Sequence, residues 1–279
     1  MIYELKNKYI KVEINDSPLE ICSIKMNDQE YVYQKADAWK KQWPICFPWT
    51  GKFINNEYFH KDKKYQMNNH GFFRLIKNWK ILSKTNEKII FSFEDNNEFI
   101  DIYPFHFALK VFFEIKNKTI ISNVEITNNS NEEMFYGFGW HPAFLIDSKT
   151  AQVNFSKKQK IITVPDDTFM DDNLPTTVID SLVVDEFNFA KSNAYFIFND
   201  ESIFSLVDKT RELAIDCENY KYVVFWKCDN EANYFCVEPW ASHQDVKGNE
   251  NQTLKTKPSV LSLQPMQSQN YSLKVSIKK

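Results

Sequence analysis

Three segments of this 279-residue chain hold side chains suited to moving protons. His70 lies in Asn68-Asn69-His70-Gly71-Phe72-Phe73-Arg74, and His141 in Gly137-Phe138-Gly139-Trp140-His141-Pro142-Ala143-Phe144. Glu238 lies in Phe235-Cys236-Val237-Glu238-Pro239-Trp240. An imidazole titrates near 6.5 and can act as acid or base at neutral pH. A carboxylate flanked by Tyr234, Phe235 and Trp240 loses hydration, which raises its pKa toward a catalytically useful value. Trp140 and Trp240 offer flat, amphipathic faces on which a sugar ring can stack. Each residue also has a plainer reading. A histidine beside glycine is more often structural, and Glu238 alone reads as a solvated carboxylate at a strand end.

Glycine strengthens the functional reading because the chain has only five. Gly71, Gly137 and Gly139 fall in the two histidine segments, and Gly51 follows Phe47-Pro48-Trp49-Thr50. So sparing a use places glycine where the backbone needs positive φ or close approach.

The elements that must position these residues are strands. Tyr9-Ile10-Lys11-Val12-Glu13-Ile14 alternates apolar and polar residues, as do residues 271–277. Residues 120–126 alternate less perfectly. This period of two marks half-buried antiparallel strands. Turn clusters separate the runs at Asn15-Asp16-Ser17-Pro18, Asp95-Asn96-Asn97, Asn128-Asn129-Ser130-Asn131 and Pro165-Asp166-Asp167. The two histidine segments break alternation and so turn at a sheet end. Residues 147–192 carry no strong motif and read as a strand pair with long loops. No long helical period, linker or repeat interrupts the chain, so the expected architecture is one all-β domain over residues 1–279.

Composition narrows the function further. Hydrophobic residues make up 43% and charged residues 25%, which excludes disorder, and an aromatic share of 16% suits strands. A net charge of −3 with no basic patch argues against nucleic acid. The charged N-terminal segment and the lack of a long apolar run predict a cytoplasmic chain without membrane association. Five cysteines without a C-x-x-C pair read as small buried hydrophobes. Asn117-Lys118-Thr119 is read as a chance match to a glycosylation site.

Four motifs in order resemble the aldose 1-epimerase, or galactose mutarotase-like, family and its LacX-like branch. Pro44-Ile45-Cys46-Phe47-Pro48-Trp49-Thr50-Gly51-Lys52 is similar to the family's Pro-x-x-Phe-Pro-x-x-Gly-Arg. His70-Gly71-Phe72-Phe73-Arg74 is similar to its His-Gly-Phe-Ala-Arg. Gly139-Trp140-His141-Pro142-Ala143-Phe144 and Glu238-Pro239-Trp240 resemble its later signatures. The resemblance covers residues 1 to about 275. It implies a large antiparallel β-supersandwich with a sugar cleft and no cofactor. It implies Glu238 as general base on the anomeric hydroxyl and His141 as general acid on the ring oxygen. His70 would hydrogen-bond the ring, with Arg74 and Lys52 contacting substrate beside Trp140 and Trp240. Lys52 departs from the family's arginine and supplies a point charge rather than a fork. The aspartate that binds hydroxyls in the galactose enzymes has no assigned counterpart.

The chemistry agrees with those roles: one group takes a proton from O1 while another gives one to O5. The partner is then a small sugar, and the chain a monomer or homodimer. Other readings compete. Two histidines and a glutamate could ligate zinc, but no local ligand spacing supports it, and none is expected. Ser242-His243-Gln244-Asp245 imitates a triad in letters only and reads as a polar loop. A glycoside hydrolase needs a second carboxylate. A non-catalytic carbohydrate-binding protein would need only the aromatic platform. A hexose-6-phosphate mutarotase would use Lys52 and Arg74 on the phosphate.

Overall fold

The computed structural model describes residues 1–36, 39–165, 169–190, 193–201 and 203–279. Among these the secondary structure is strand, with helix only as short 3-10 turns such as Phe73–Leu75. A four-stranded antiparallel meander of Ile2–Lys6, Lys11–Asp16, Leu19–Met26 and Gln29–Glu30 opens the chain. Most other strands join one fifteen-stranded sheet. This all-β, antiparallel architecture is the one the alternating runs predict. The turn expected at Asp166-Asp167 lies outside the described residues.

The alternating runs form the expected strands. Thr119–Asn128 buries every second residue from Ile120 to Asn128. Its imperfect pattern arises because Ser122 and Asn128, though polar, belong to the buried row. Asn128 is accommodated by donating to the carbonyls of Glu132 and Leu263 at 2.8 and 2.9 Å. Ser268–Ile277 pairs alongside it and buries Tyr271, Leu273, Val275 and Ile277. Phe107–Lys116 turns into Thr119–Asn128 through Asn117 and Lys118, where Asn117 adopts φ 52°. Asparagine tolerates this left-handed conformation better than most residues. The motif-free stretch contains the anticipated strand pair, Gln152–Val164 against Thr176–Val183. Among the described residues no helix is long and apolar enough to cross a membrane.

At one end of the sheet, Ile45–Cys46, Gly139–Trp140, Tyr234–Trp240, Tyr222–Trp226 and Ala194–Phe198 lie side by side. Tyr234–Trp240 is buried throughout. Its residues alternate between two environments, as a strand requires. Phe235 and Val237 enter the main core, whereas Cys236, Glu238 and Trp240 face away from it. That second face borders a cleft.

Candidate active site

The residues facing Glu238's side of the sheet enclose a cleft of about 290 Å³. Val224 stands opposite Glu238, and Phe196 opposite Val224, so one row of cross-strand neighbours forms the floor. His70, His141, Trp240, Lys52, Trp39, Lys41 and Trp226 complete much of the wall.

His70 is held by two chain segments clamped together. His70 and Gly71 both lie in the left-handed region, with φ 65° and 72°. The His70 N–H donates to the Gly51 carbonyl at 2.9 Å, and the Gly51 N–H donates back to His70 Nδ1 at 3.1 Å. Because Nδ1 accepts that bond, a neutral His70 carries its proton on Nε2. Burial, followed by the charges of Lys41 and Lys52, lowers its pKa to about 3. At neutral pH His70 is therefore an uncharged donor.

Gly71 packs so tightly that a Cβ there would sit 2.3 Å from the Phe47 carbonyl oxygen and 2.7 Å from Pro48 N. Gly71→Ala should therefore destabilise the fold by about 2–5 kcal/mol, combining a left-handed penalty with overpacking against backbone. Gly248→Ala is the control, since its φ is also positive, at 89°, but nothing lies within 4 Å of the added carbon. It should cost only about 1–2 kcal/mol. Urea midpoints compare the two; equal losses would show that the clamp is not tight.

His141 sits between Gly139–Trp140 and Ala143–Leu145, its N–H donating to the Pro44 carbonyl at 2.9 Å. Its ring stacks on Trp39 at 5.1 Å and meets the rings of His70 and Trp226 edge-on at 5.2 and 5.4 Å. Nδ1 lies 3.4 Å from Glu238 Oε1. Among the described residues His141 Nδ1, Glu238 Oε2 and Trp240 Nε1 are all buried without a hydrogen-bond partner. Buried polar atoms are normally satisfied. Three orphans around one cleft mark where a hydroxylated ligand would complete the bonding.

Burial disfavours charge here. It raises the Glu238 pKa well above 4.5, partly offset by the neighbouring Trp240 indole N–H, which completes no hydrogen bond. It lowers the His141 pKa well below 6.5, assisted by His70 and Lys41. The thiols of Cys46 and Cys236 are likewise held protonated by burial. Cys236 Sγ, His141 and Glu238 place three possible metal-ligand atoms within 4.8 Å of one another. A soft divalent ion taken there would engage the buried His141 and Glu238 side chains that face each other in the cleft.

Of the seven residues that the sequence points to, His70, His141, Glu238, Trp240 and Lys52 line the cleft. Trp140 does not: its ring is fully buried and its Nε1–H donates to the Tyr220 hydroxyl at 2.7 Å. Arg74 is not among the lining residues either, although its charge reaches His141 and Lys41. The supposed polar loop after the site is a buried set of struts. Ser242 bonds Thr50 at 2.7 Å and Asp245 pairs with Lys257 at 2.6 Å. His243 Nδ1 bonds the Gln244 carbonyl at 2.6 Å, so no relay links Ser242 to Asp245. Trp39, Lys41 and Trp226 also line the cleft, and sequence reasoning misses them. Trp39 and Lys41 belong to an irregular segment without periodicity, and Trp226 ends an unbroken apolar run that does not reveal its face.

A sequence profile for the family described as aldose 1-epimerase matches residues 1–260. Protein LacX (chromosomal) of Lactococcus lactis subsp. lactis is 27% identical over 309 aligned positions, which span 99% of both chains. A galactose mutarotase related enzyme from Lactobacillus acidophilus is 26% identical and superposes with a TM-score of 0.90, covering 100% of this chain and 98% of its own. A galactose mutarotase-like protein from Lactobacillus casei shares the fold with a TM-score of 0.88 at 20% identity, covering 99% of this chain and 100% of its own.

Proposed function

We propose that this chain, which belongs to the aldose 1-epimerase family, interconverts the α and β anomers of an aldose by acid/base ring opening and closure. The observation that carries the reading is the pairing of His141 Nδ1 with Glu238 at 3.4 Å, buried beside His70 in an aromatic-walled cleft.

The pair needs one exchangeable proton, whichever partner holds it. In the reactive form Glu238 is ionised and His141 protonated. Glu238 takes the proton from O1 as His141 gives one to O5, and the C1–O5 bond breaks. The pair is left as neutral glutamic acid and neutral imidazole, with the sugar as open-chain aldehyde. Rotation about C1–C2 presents the other carbonyl face. The reverse transfers close the ring and regenerate the starting pair. Both forms of the pair carry the same net charge, so desolvation does not oppose the cycle as it would a lone ion. The Nε2–H of His70 is a fixed neutral donor that can bond a ring or hydroxyl oxygen without competing for the catalytic proton.

The direction of the pKa shifts sets the pH dependence. Adding a second proton makes the pair cationic, and its low-dielectric site resists this, in keeping with the lowered His141 pKa. Removing the shared proton makes it anionic, and the raised Glu238 pKa reflects resistance to that also. The acid limb therefore marks entry of a second proton into the pair, and the alkaline limb marks loss of the shared proton. The rate–pH curve should be a broad plateau through neutrality, with limbs reporting the pair rather than either residue alone. A narrow bell bounded near the ordinary values of 4.5 and 6.5 would indicate a solvated pair.

The decisive measurement is anomer interconversion by polarimetry or exchange NMR over a panel of free and phosphorylated aldoses. Acceleration of at least one sugar is expected. Sugar binding with no acceleration across the panel would instead identify a carbohydrate-binding protein.

A further inference from the structure

Cys236 and Glu238 are two residues apart on Tyr234–Trp240, so their side chains share the face turned away from the main core. His141 reaches the same place from the adjoining chain. Gly139 pairs with Trp240 and Ala143 with Cys236, a common register that sets His141 across from Glu238. The set thus joins two alternate residues of one strand to a cross-strand partner, which no ligand spacing within a single motif would reveal. One ligand atom from each side chain lies within 4.8 Å of the other two, and His141 Nδ1 is 3.4 Å from Glu238 Oε1. Tetrahedral zinc with bonds of about 2.0–2.3 Å holds its ligand atoms about 3.3–3.8 Å apart, so shifts of about 1 Å close the set.

These side chains are buried, with His141 only 6% and Glu238 1% exposed and Cys236 fully enclosed. Among the described residues His141 Nδ1 and Glu238 Oε2 have no hydrogen-bond partner, and Cys236 Sγ makes no hydrogen bond. The neighbouring cysteine and histidine are in a different condition. Cys46 Sγ lies 3.3 Å from His70 Nδ1, which also accepts the Gly51 N–H, so His70 stands outside the set. Around His141, Trp39 stacks at 5.1 Å and Trp226 meets it edge-on at 5.4 Å, a shell that fixes the imidazole. Entry of Zn²⁺ would send two protons to solvent, the thiol proton of Cys236 and the one shared by His141 and Glu238. The site keeps its net charge, so burial, which resists an added charge, does not resist this exchange.

We propose that Cys236, His141 and Glu238 bind one thiophilic divalent cation, zinc above all, and that its occupancy switches anomerisation off. A thiolate, an imidazole and a carboxylate suit zinc, whereas magnesium and calcium favour oxygen ligands alone. His141 and Glu238 line the cleft, so the fourth position of the metal opens to it and takes water or a sugar hydroxyl. The reaction itself does not call for the ion, which blocks it by coordinating the groups that carry the protons. The site stands on geometry alone, whereas the switch rests on the mutarotase reading.

The test titrates EDTA-stripped, desalted protein with Co²⁺ as a spectroscopic probe and with Zn²⁺. One equivalent of Co²⁺ should give the near-ultraviolet charge-transfer band of a thiolate ligand and the visible bands of a tetrahedral ion, and Zn²⁺ should displace it. Cys236→Ala should abolish the charge-transfer band and weaken Zn²⁺ binding at least about 100-fold, since even the outer partners of a metal are worth about 10–100-fold. Cys46→Ala, beside His70 rather than in the set, should keep both the band and the affinity. If Cys236→Ala fails to fold, Glu238→Gln, which retains the thiol, should still weaken Zn²⁺ binding by about 10-fold or more. Zn²⁺ should suppress anomerisation of the best substrate in proportion to the fraction bound, and EDTA should restore it. Cys236→Ala should stay active at Zn²⁺ concentrations that silence the wild type. No thiolate band, or a band that survives in Cys236→Ala, would overturn the site, and a rate unchanged or raised by bound Zn²⁺ would overturn the switch. If the metal-free protein accelerates no sugar, the mutarotase reading fails, while the band and its loss in Cys236→Ala still decide the site.

Discussion

Glu238→Gln is expected to slow anomerisation by about 10²–10⁴-fold, the usual contribution of general acid–base catalysis, with KM changed only slightly. The amide keeps the shape of the carboxylate and can still hydrogen-bond a sugar hydroxyl, but it cannot hold the proton leaving O1. Among the described residues no other carboxylate lines the cleft to replace it. The same substitution should not destabilise the protein. A group whose folded pKa is raised contributes full stability below its unfolded value and loses it as pH rises, and Glu238 is raised well above 4.5. At pH 8 the wild type therefore bears the cost of a buried group that would ionise on unfolding, and the glutamine variant does not. Thermal melts should show the variant at least as stable at pH 8, with the difference fading toward pH 4. A large loss of rate with undiminished stability separates a catalytic role from a structural one. Near wild-type anomerisation of the best substrate would sink the assignment of Glu238 as base.

The strand rule that made this fold legible also decides which tryptophan reaches the cleft. Successive residues of a strand point to opposite faces, and alternate residues share one. Glu238 and Trp240 are two apart in Tyr234–Trp240 and both line the cleft. Trp140 immediately precedes His141, so as His141 turns into the cleft Trp140 turns into the core, against Phe138 and Tyr220. Proximity in sequence to a cleft-lining histidine thus counted against Trp140. Glycine scarcity was a sounder guide. Gly71 touches the Phe47 carbonyl, and Gly139 lies under the Trp240 ring, where a Cβ would sit 2.5 Å from Cδ1. These glycines permit the close packing that brings His70 and Trp240 to one place.

What sequence could not reveal was the far wall. Trp39 stacks on both His141 and Tyr234, at 5.1 and 5.3 Å, from a segment with no regular hydrogen-bond ladder. Its position follows from tertiary packing rather than from any local period. Lys41, two residues on, is similarly placed, and in sequence it is one of many lysines in a chain with 34 basic residues. The letters Ser242-His243-Gln244-Asp245 misled in the opposite sense, because a polar composition suggested solvent. The polar groups there find buried partners instead, such as Lys257 for Asp245. Composition reports the cost of burial, and only the fold reveals whether a partner meets it.

His141→Asn should lower the rate by about 10²–10⁴-fold as well, and its combination with Glu238→Gln is the sharper test. If the two groups hand over protons in a single cycle, removing either one stops it. The double variant should then be only slightly slower than the slower single, rather than showing the product of the two losses. Independent roles, such as one group binding sugar and the other moving a proton, would give roughly multiplicative losses. The 3.4 Å separation places the pair well within the range at which coupling is expected. Asparagine removes the imidazole that stacks on Trp39, so binding must be measured separately by calorimetry with the best substrate. A modest loss of affinity beside a large loss of kcat is the expected pattern. His70→Asn should differ, weakening affinity and turnover together, because the neutral Nε2–H donor it removes is assigned to holding the ring. If His141→Asn changes only KM, then His141 binds the sugar without protonating it, and the acid on the ring oxygen must be sought elsewhere in the cleft.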